Sequence, residues 1–256
     1  VGDVDKLWAD GELGDKKPIE PELIPIPKLL PTVNQRSIDM NVDVDLSTGE
    51  LKVRANILLT GQWSTLTRSA YLFGVVDSSI HPGYGHRLFD VAGATDVQVE
   101  LGEVQQMPPF RMPIKVSFTL PGRVLSKDST WTVDLSGLFH HVVDSTFTAE
   151  GRDLSYWFDF EGGDEVRARV HFDRAVQLVS DTAVSTMQPF AAHYVYTTQP
   201  DPKTIDRSSV FGVYAPKVEV RDARDLEILI RAVANQSALL HVKAPPADLA
   251  SPVPGP

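Results

Sequence analysis

Ile38-Asp39-Met40-Asn41-Val42-Asp43-Val44-Asp45-Leu46-Ser47-Thr48-Gly49-Glu50-Leu51-Lys52-Val53-Arg54-Ala55-Asn56-Ile57-Leu58-Leu59 is the stretch whose reading decides the fold. Ile38, Met40, Val42, Val44 and Leu46 alternate with Asp39, Asn41, Asp43 and Asp45. Successive side chains of a strand point to opposite faces, so this period of two predicts a strand with one face buried and one in water. Ser47-Thr48-Gly49-Glu50 supplies a turn, and Leu51, Val53, Ala55, Ile57 and Leu59 resume the alternation. The natural reading is a β-hairpin.

Working outward, similar runs predict strands at Val97–Leu101, Ile114–Leu120, Trp131–Leu135, Leu154–Phe160, Val166–Phe172, Ala192–Thr198 and Val218–Val220. Glu161-Gly162-Gly163-Asp164 has two glycines suited to a tight turn and lies between aromatic and β-branched runs, so a second hairpin is expected there. Two stretches have helical spacing. One lies near 64–75, with Leu66, Ala70 and Phe73 on one side. The other lies near 222–240, where Asp222 can cap a stripe of Leu226, Leu229, Ile230, Val233 and Leu240. The expected fold is mainly β, with β-sandwich-like domains and these two helices.

Prolines at 18, 21, 25, 27 and 31 remove backbone donors and favour extended neighbours, so residues 1–35 are expected to contain a Pro-rich extended arm. Its Ile19, Leu23, Ile24, Ile26, Leu29 and Leu30 are too many for a solvated linker and call for a surface to lie on. Residues 244–256 are rich in Pro and Ala without such anchors and read as a flexible tail. Between them, a first β-sandwich-like domain is expected over 36–138 and a second β domain, closed by the helix, over 139–243.

The 42% hydrophobic and 23% charged residues are those of a folded chain. A formal charge of −10 would repel a phosphate backbone, which disfavours nucleic acid as a partner. With no cysteine, disulfides, thiolate metal sites and a cysteine nucleophile are excluded within these residues. No apolar run approaches the length of a transmembrane segment, and Val1-Gly2-Asp3-Val4-Asp5 is not a signal peptide, so a soluble piece of a larger protein is expected, with any targeting signal upstream.

No HExxH, phosphate loop, GxSxG elbow or EF-hand loop is present, and no catalytic, cofactor-binding or metal residue is assigned. His81 and His86 flank a Pro/Gly loop but lack further ligands, and the neighbours His140 and His141 would point to opposite faces, so both groups read as surface or half-buried histidines. Asp159, Glu161, Asp164 and Glu165 crowd the Gly162-Gly163 turn and read as a solvated acidic turn rather than a calcium loop. Trp131, Tyr156 and Trp157 are the candidate ligand or partner contacts; Tyr156 and Trp157 lie on opposite faces of one expected strand, at least one face must be core, and core packing is the preferred reading.

The succession Ser47-Thr48-Gly49-Glu50-Leu51, a strand, and Gly61-Gln62-Trp63-Ser64-Thr65-Leu66-Thr67-Arg68-Ser69-Ala70-Tyr71 resembles the region that follows the papain-like core in bacterial transglutaminase-like multidomain proteins. Pro113–Pro121 is similar to a strand of that region, and Asp222–Val242 resembles its closing helix and last short strand. The resemblance implies β-sandwich-like domains behind a catalytic or degenerate core, in exported, periplasmic or cell-surface proteins. It carries over no catalytic residue. The expected function is a non-catalytic accessory module that packs on that core or binds a protein partner. The alternative is a carbohydrate-binding or adhesive β-sandwich, with polysaccharide as partner.

Overall fold

The computed structural model describes residues 33–64, 89, 92–103, 110–141, 147–158, 161–179, 183–234 and 238–245. The alternation around Val42 forms β1 (Gln35–Asp45), and its continuation forms β2 (Glu50–Thr60), paired antiparallel with Val42 opposite Val53. Asp45 organises the turn between them. Its carboxylate accepts from the Ser47 hydroxyl at 2.5 Å and from the amides of Ser47 and Thr48 at 2.8 and 3.0 Å. These bonds, the Ser47 hydroxyl first, hold the Asp45 carboxyl below its usual range. Gly49 takes the left-handed conformation, φ 76°, that closes the turn.

The remaining strands are β3 (Thr95–Leu101), β4 (Arg111–Leu120), β5 (Val124–Lys127), β6 (Thr130–Asp134), β7 (Tyr156–Trp157), β8 (Gly162–Phe172), β9 (Gln177–Leu178), β10 (Val184–Met187), β11 (Ala191–Asp201), β12 (Thr204–Val213), β13 (Lys217–Val218) and β14 (Leu239–Lys243). A 3-10 turn at Val220–Asp222 leads into helix α1 (Ala223–Ala234). Eight strands make one sheet in the order β10-β11-β12-β8-β1-β2-β4-β3, four make a second in the order β5-β6-β14-β9, and β13 pairs with β7 alone. The chain is mainly β, as its alternating pattern predicts.

Two apolar clusters hold the layers together. In the larger, Ile38, Met40, Val42 and Val44 of β1 and their counterparts on β2, β4 and β8 meet Val133, Leu240 and Val242 of the four-stranded sheet. In the smaller, Leu226, Leu229, Ile230 and Val233 of α1 pack with Phe190, Phe211, Val213 and Val218. Each such side chain contributes roughly 1.5–3 kcal/mol when fully buried.

Four expectations are corrected. Gly162 and Gly163 are not a hairpin turn: they open β8, which runs parallel to β1 and antiparallel to β12. Ladder partners on both sides outweigh the local preference of glycine for a turn. The strand expected over Leu154–Phe160 is limited, among the described residues, to Tyr156–Trp157, which pairs with β13. Val220 is not strand but opens the 3-10 turn. Finally, α1 ends at Ala234, and Leu240 is buried in β14 opposite Val133 rather than on the helical stripe.

One finding bears on the expected boundary between 138 and 139. The eight-stranded sheet takes β1 to β4 from one side of it and β8 and β10 to β12 from the other, and β1 pairs directly with β8. The arm over Lys17–Pro31, most of the helix expected near 64–75 and most of the tail lie outside the described residues; Gln62, Trp63 and Ser64 are helical.

Candidate functional site

Between the two apolar clusters, the inward face of the eight-stranded sheet turns polar. The inward residues of β12 are Ile205, Arg207, Ser209, Phe211 and Val213, all buried. Ladder register sets Arg207 between Ala168 and Thr197, Ser209 between Val166 and Val195, and Phe211 between Asp164 and His193. Ile205 belongs to the larger cluster and Phe211 to the smaller, so Arg207 and Ser209 mark the seam between them.

Asp164 anchors this seam. Arg36 Nε donates to its Oδ1 at 2.8 Å and Nη2 to its Oδ2 at 2.7 Å, a two-point pair with side chains only 5% and 3% exposed. Arg36 Nη2 also donates to the His140 carbonyl, and the Trp63 ring lies 5.5 Å from the guanidinium carbon. Burial pushes the Asp164 carboxyl up, but the Arg36 charge and then the His141 contacts outweigh it and hold the group at about 2.

His141 continues the line. Its Nδ1 lies 3.0 Å from Asp164 Oδ2 and its Nε2 2.7 Å from Ser209 Oγ. The ring thus bridges the carboxylate and the serine hydroxyl, one nitrogen to each. On the other side of Ser209, His193 Nε2 approaches Oγ at 3.2 Å. The His141 ring meets His193 edge-on at 5.6 Å and Phe211 at 6.0 Å. Deeper in the seam, Arg207 Nη1 donates to Thr197 Oγ1 at 3.1 Å beneath the Phe139 ring, and burial pulls its guanidinium below the usual value.

Carboxylate, imidazole and hydroxyl thus stand in the order used by serine hydrolases. That chemistry also needs a substrate path to the hydroxyl and donors aimed at the developing oxyanion. Ser209 is 0% exposed, the His141 side chain is 0% exposed, and Ser209 sits within β12 between two ladder partners. What the arrangement does is satisfy buried polar groups with one another where two apolar cores meet.

The sequence-derived contacts do not assemble with it or with one another. Trp131 is half-buried on β6 against the larger cluster, opposite Val242. Trp157 is 62% exposed on β7, with Lys217 Nζ 5.7 Å from its ring centre. Tyr156 faces the other way, its ring edge-on to Phe147 at 5.0 Å and Phe158 at 5.1 Å. His140 is exposed and His141 buried, which corrects the reading of His141 as a surface or half-buried residue.

The acidic-turn reading is also corrected. Asp164 is buried in the seam, while Glu165 points to the opposite face and pairs with Arg167 at 2.6 Å. Asp159, His81 and His86 lie outside the described residues, among which no cluster of three or more His, Asp or Glu is placed to hold a metal ion. Sequence reading missed Arg36, His193, Arg207 and Ser209. Arg36 and Arg207 carried one signal, a charged residue at an inward position of a strand, but the strand β12 was itself hidden by its polar inward positions. No family model matches the chain, and the comparison with curated proteins yields no match.

Proposed function

We propose that the chain is a non-catalytic β-rich module of a larger, transglutaminase-like exported bacterial protein, which packs on a neighbouring core or holds a protein partner at the periplasmic or cell-surface side. The observation that carries the non-catalytic reading is the closure of the Asp164–His141–Ser209 line: its serine is fully buried and its carboxylate is tied by Arg36. The transglutaminase-like setting is supported by the Ser47–Tyr71 resemblance.

A neighbour is supported by the β7–β13 ribbon and its flanks, where Trp157 on β7 is 62% exposed and Leu154 and Val220, just outside the two strands, are 74% and 39% exposed. Ser155 Oγ donates to Glu219 across this ribbon at 3.1 Å, so the exposed apolar residues stand on a pinned surface. Exposed aromatic anchors of this kind are characteristic of interface centres.

Two measurements test the proposal. A fluorophosphonate probe is expected to leave Ser209 unlabelled in the folded chain, and stoichiometric labelling there would overturn the non-catalytic reading. Amide exchange at Tyr156, Trp157, Lys217 and Val218 is expected to slow when the chain is held in its parent polypeptide, and identical rates in both would remove the ribbon as the docking surface.

A further inference from the structure

The outer face of the eight-stranded sheet carries two neighbouring rows of side chains set by the ladder register. Tyr196, Ser208, Arg167 and Asp39 stand side by side on β11, β12, β8 and β1. Thr198, Asp206, Arg169 and Asn41 form the next row on the same strands. Ser208 is short between a tyrosine and an arginine, so the surface dips there, and these residues bound an open concavity of about 350 Å³. Ser208 is only 2% exposed, and among the described residues nothing hydrogen-bonds its Oγ. A buried hydroxyl with donor and acceptor capacity in reserve sits at the floor of the dip.

The walls say what would fit. Arg169 is held by Asp206 through contacts of 2.9 and 3.2 Å, and Arg167 by Glu165 at 2.6 Å with Asp39 at 3.7 Å. Each guanidinium charge is already balanced by a carboxylate beside it, so a phosphate or sulfate would meet that carboxylate's repulsion and a basic peptide the guanidinium's. A neutral ring bearing several hydroxyls can donate to the carboxylates and accept from the guanidinium groups with every pair intact. Tyr196, 47% exposed at the rim, offers an aromatic face to the carbon side of such a ring.

We propose that this dip binds a neutral pyranose unit of a saccharide, stacked on Tyr196 and hydrogen-bonded to Ser208, Asp206 and Arg169. Asn41 also borders a second concavity of about 490 Å³ across β2, β3 and β4, where Arg54 pairs with Asp43 at 2.7 Å and Lys115 with Glu100 at 3.2 Å. The second hollow has the same polar, charge-balanced character, so a further unit of the same chain reaches it across Asn41. The site is independent of the docking ribbon on β7 and β13.

The test titrates the isotope-labelled chain with neutral gluco-, manno-, galacto- and xylo-oligosaccharides and with their sulfated counterparts, following backbone amide shifts. At least one neutral series is expected to move the amides of Tyr196, Ser208 and Arg169, with affinity rising with oligosaccharide length. Tyr196→Ala is expected to weaken binding about tenfold or more with an unchanged melting temperature, and Ser208→Val, which fills the dip, to abolish it. If Ser208→Val fails to fold, Tyr196→Ala decides alone. The proposal is overturned if no neutral oligosaccharide moves these amides, if a sulfated series binds more tightly than its neutral parent, or if Tyr196→Ala binds as the unmodified chain does.

Discussion

Arg36 is a long cationic side chain at an inward strand position, and the structure accounts for it through Asp164, the His140 carbonyl and Trp63. Removing one member of a buried pair leaves the other charged and unsolvated, which typically costs about 3–5 kcal/mol. Arg36→Met is therefore expected to lower stability on that scale in urea unfolding, whereas the double replacement Arg36→Met/Asp164→Leu loses distinctly less. The pH dependence has a definite sign. The folded Asp164 carboxyl, at about 2, lies below its ordinary 3.8, so its stabilisation is complete above the ordinary value and is lost as pH falls through the folded one. The melting-temperature gap between the unmodified chain and Asp164→Asn should narrow as pH falls from about 4 towards about 2.

Gly61 is a second sensitive residue. At φ 57°, a Cβ there would lie 2.2 Å from Asn34 Oδ1 and 2.7 Å from the Val33 carbonyl. Asn34 uses that oxygen to accept from the Gln62 amide at 2.9 Å and its amide nitrogen to reach the Glu161 carbonyl at 3.0 Å, so it ties the start of β1 to the end of β2 and the approach to β8. Gly61→Ala is expected to lose about 1–2 kcal/mol from the backbone conformation alone, with the broken Asn34 bracket adding to it, measurable as a fall in the urea midpoint.

At the scale of elements, α1 shows which part of its pattern is packing and which is surface. Leu229 is 0% exposed in the smaller cluster, whereas Ile228, its neighbour in sequence, is 52% exposed. Leu229→Ala is expected to cost about 2–5 kcal/mol and Ile228→Ala to fall near zero, a contrast that thermal melts of the two variants would check. Had the stripe continued through Leu240 as the helical spacing suggests, deleting Leu239–Lys243 would take only the end of the helix and the short strand expected after it. In the structure β14 lies between β6 and β9, so that deletion removes an inner strand and leaves both neighbours with unpaired ladder groups.

For the whole molecule, the central fact is that one sheet draws strands from both sides of residue 138, with β1 and β8 adjacent in the middle. A chain cut between 138 and 139 would give two pieces that each expose an edge of that sheet at its centre, and such edges invite aggregation. The separate pieces are expected to be insoluble or molten. The intact chain is expected to unfold in a single transition by both tryptophan fluorescence and far-ultraviolet circular dichroism; two separated transitions would show that the apolar clusters unfold independently despite the seam joining them.

What the sequence by itself determined is whatever neighbouring residues decide among themselves. The alternation from Ile38 to Leu59 and the Asp45–Gly49 turn specify β1 and β2 because both the period and the turn are local. The spacing of Leu226, Leu229, Ile230 and Val233 specifies the buried side of α1 for the same reason. Tertiary structure alone decided the rest. Gly162 and Gly163 became strand because β1 and β12 pair with them from distant parts of the chain, and Leu240 left the helix to face Val133. His141, Ser209 and Asp164 met because three separate segments converge on one polar seam, where each satisfies hydrogen-bonding groups that water cannot reach.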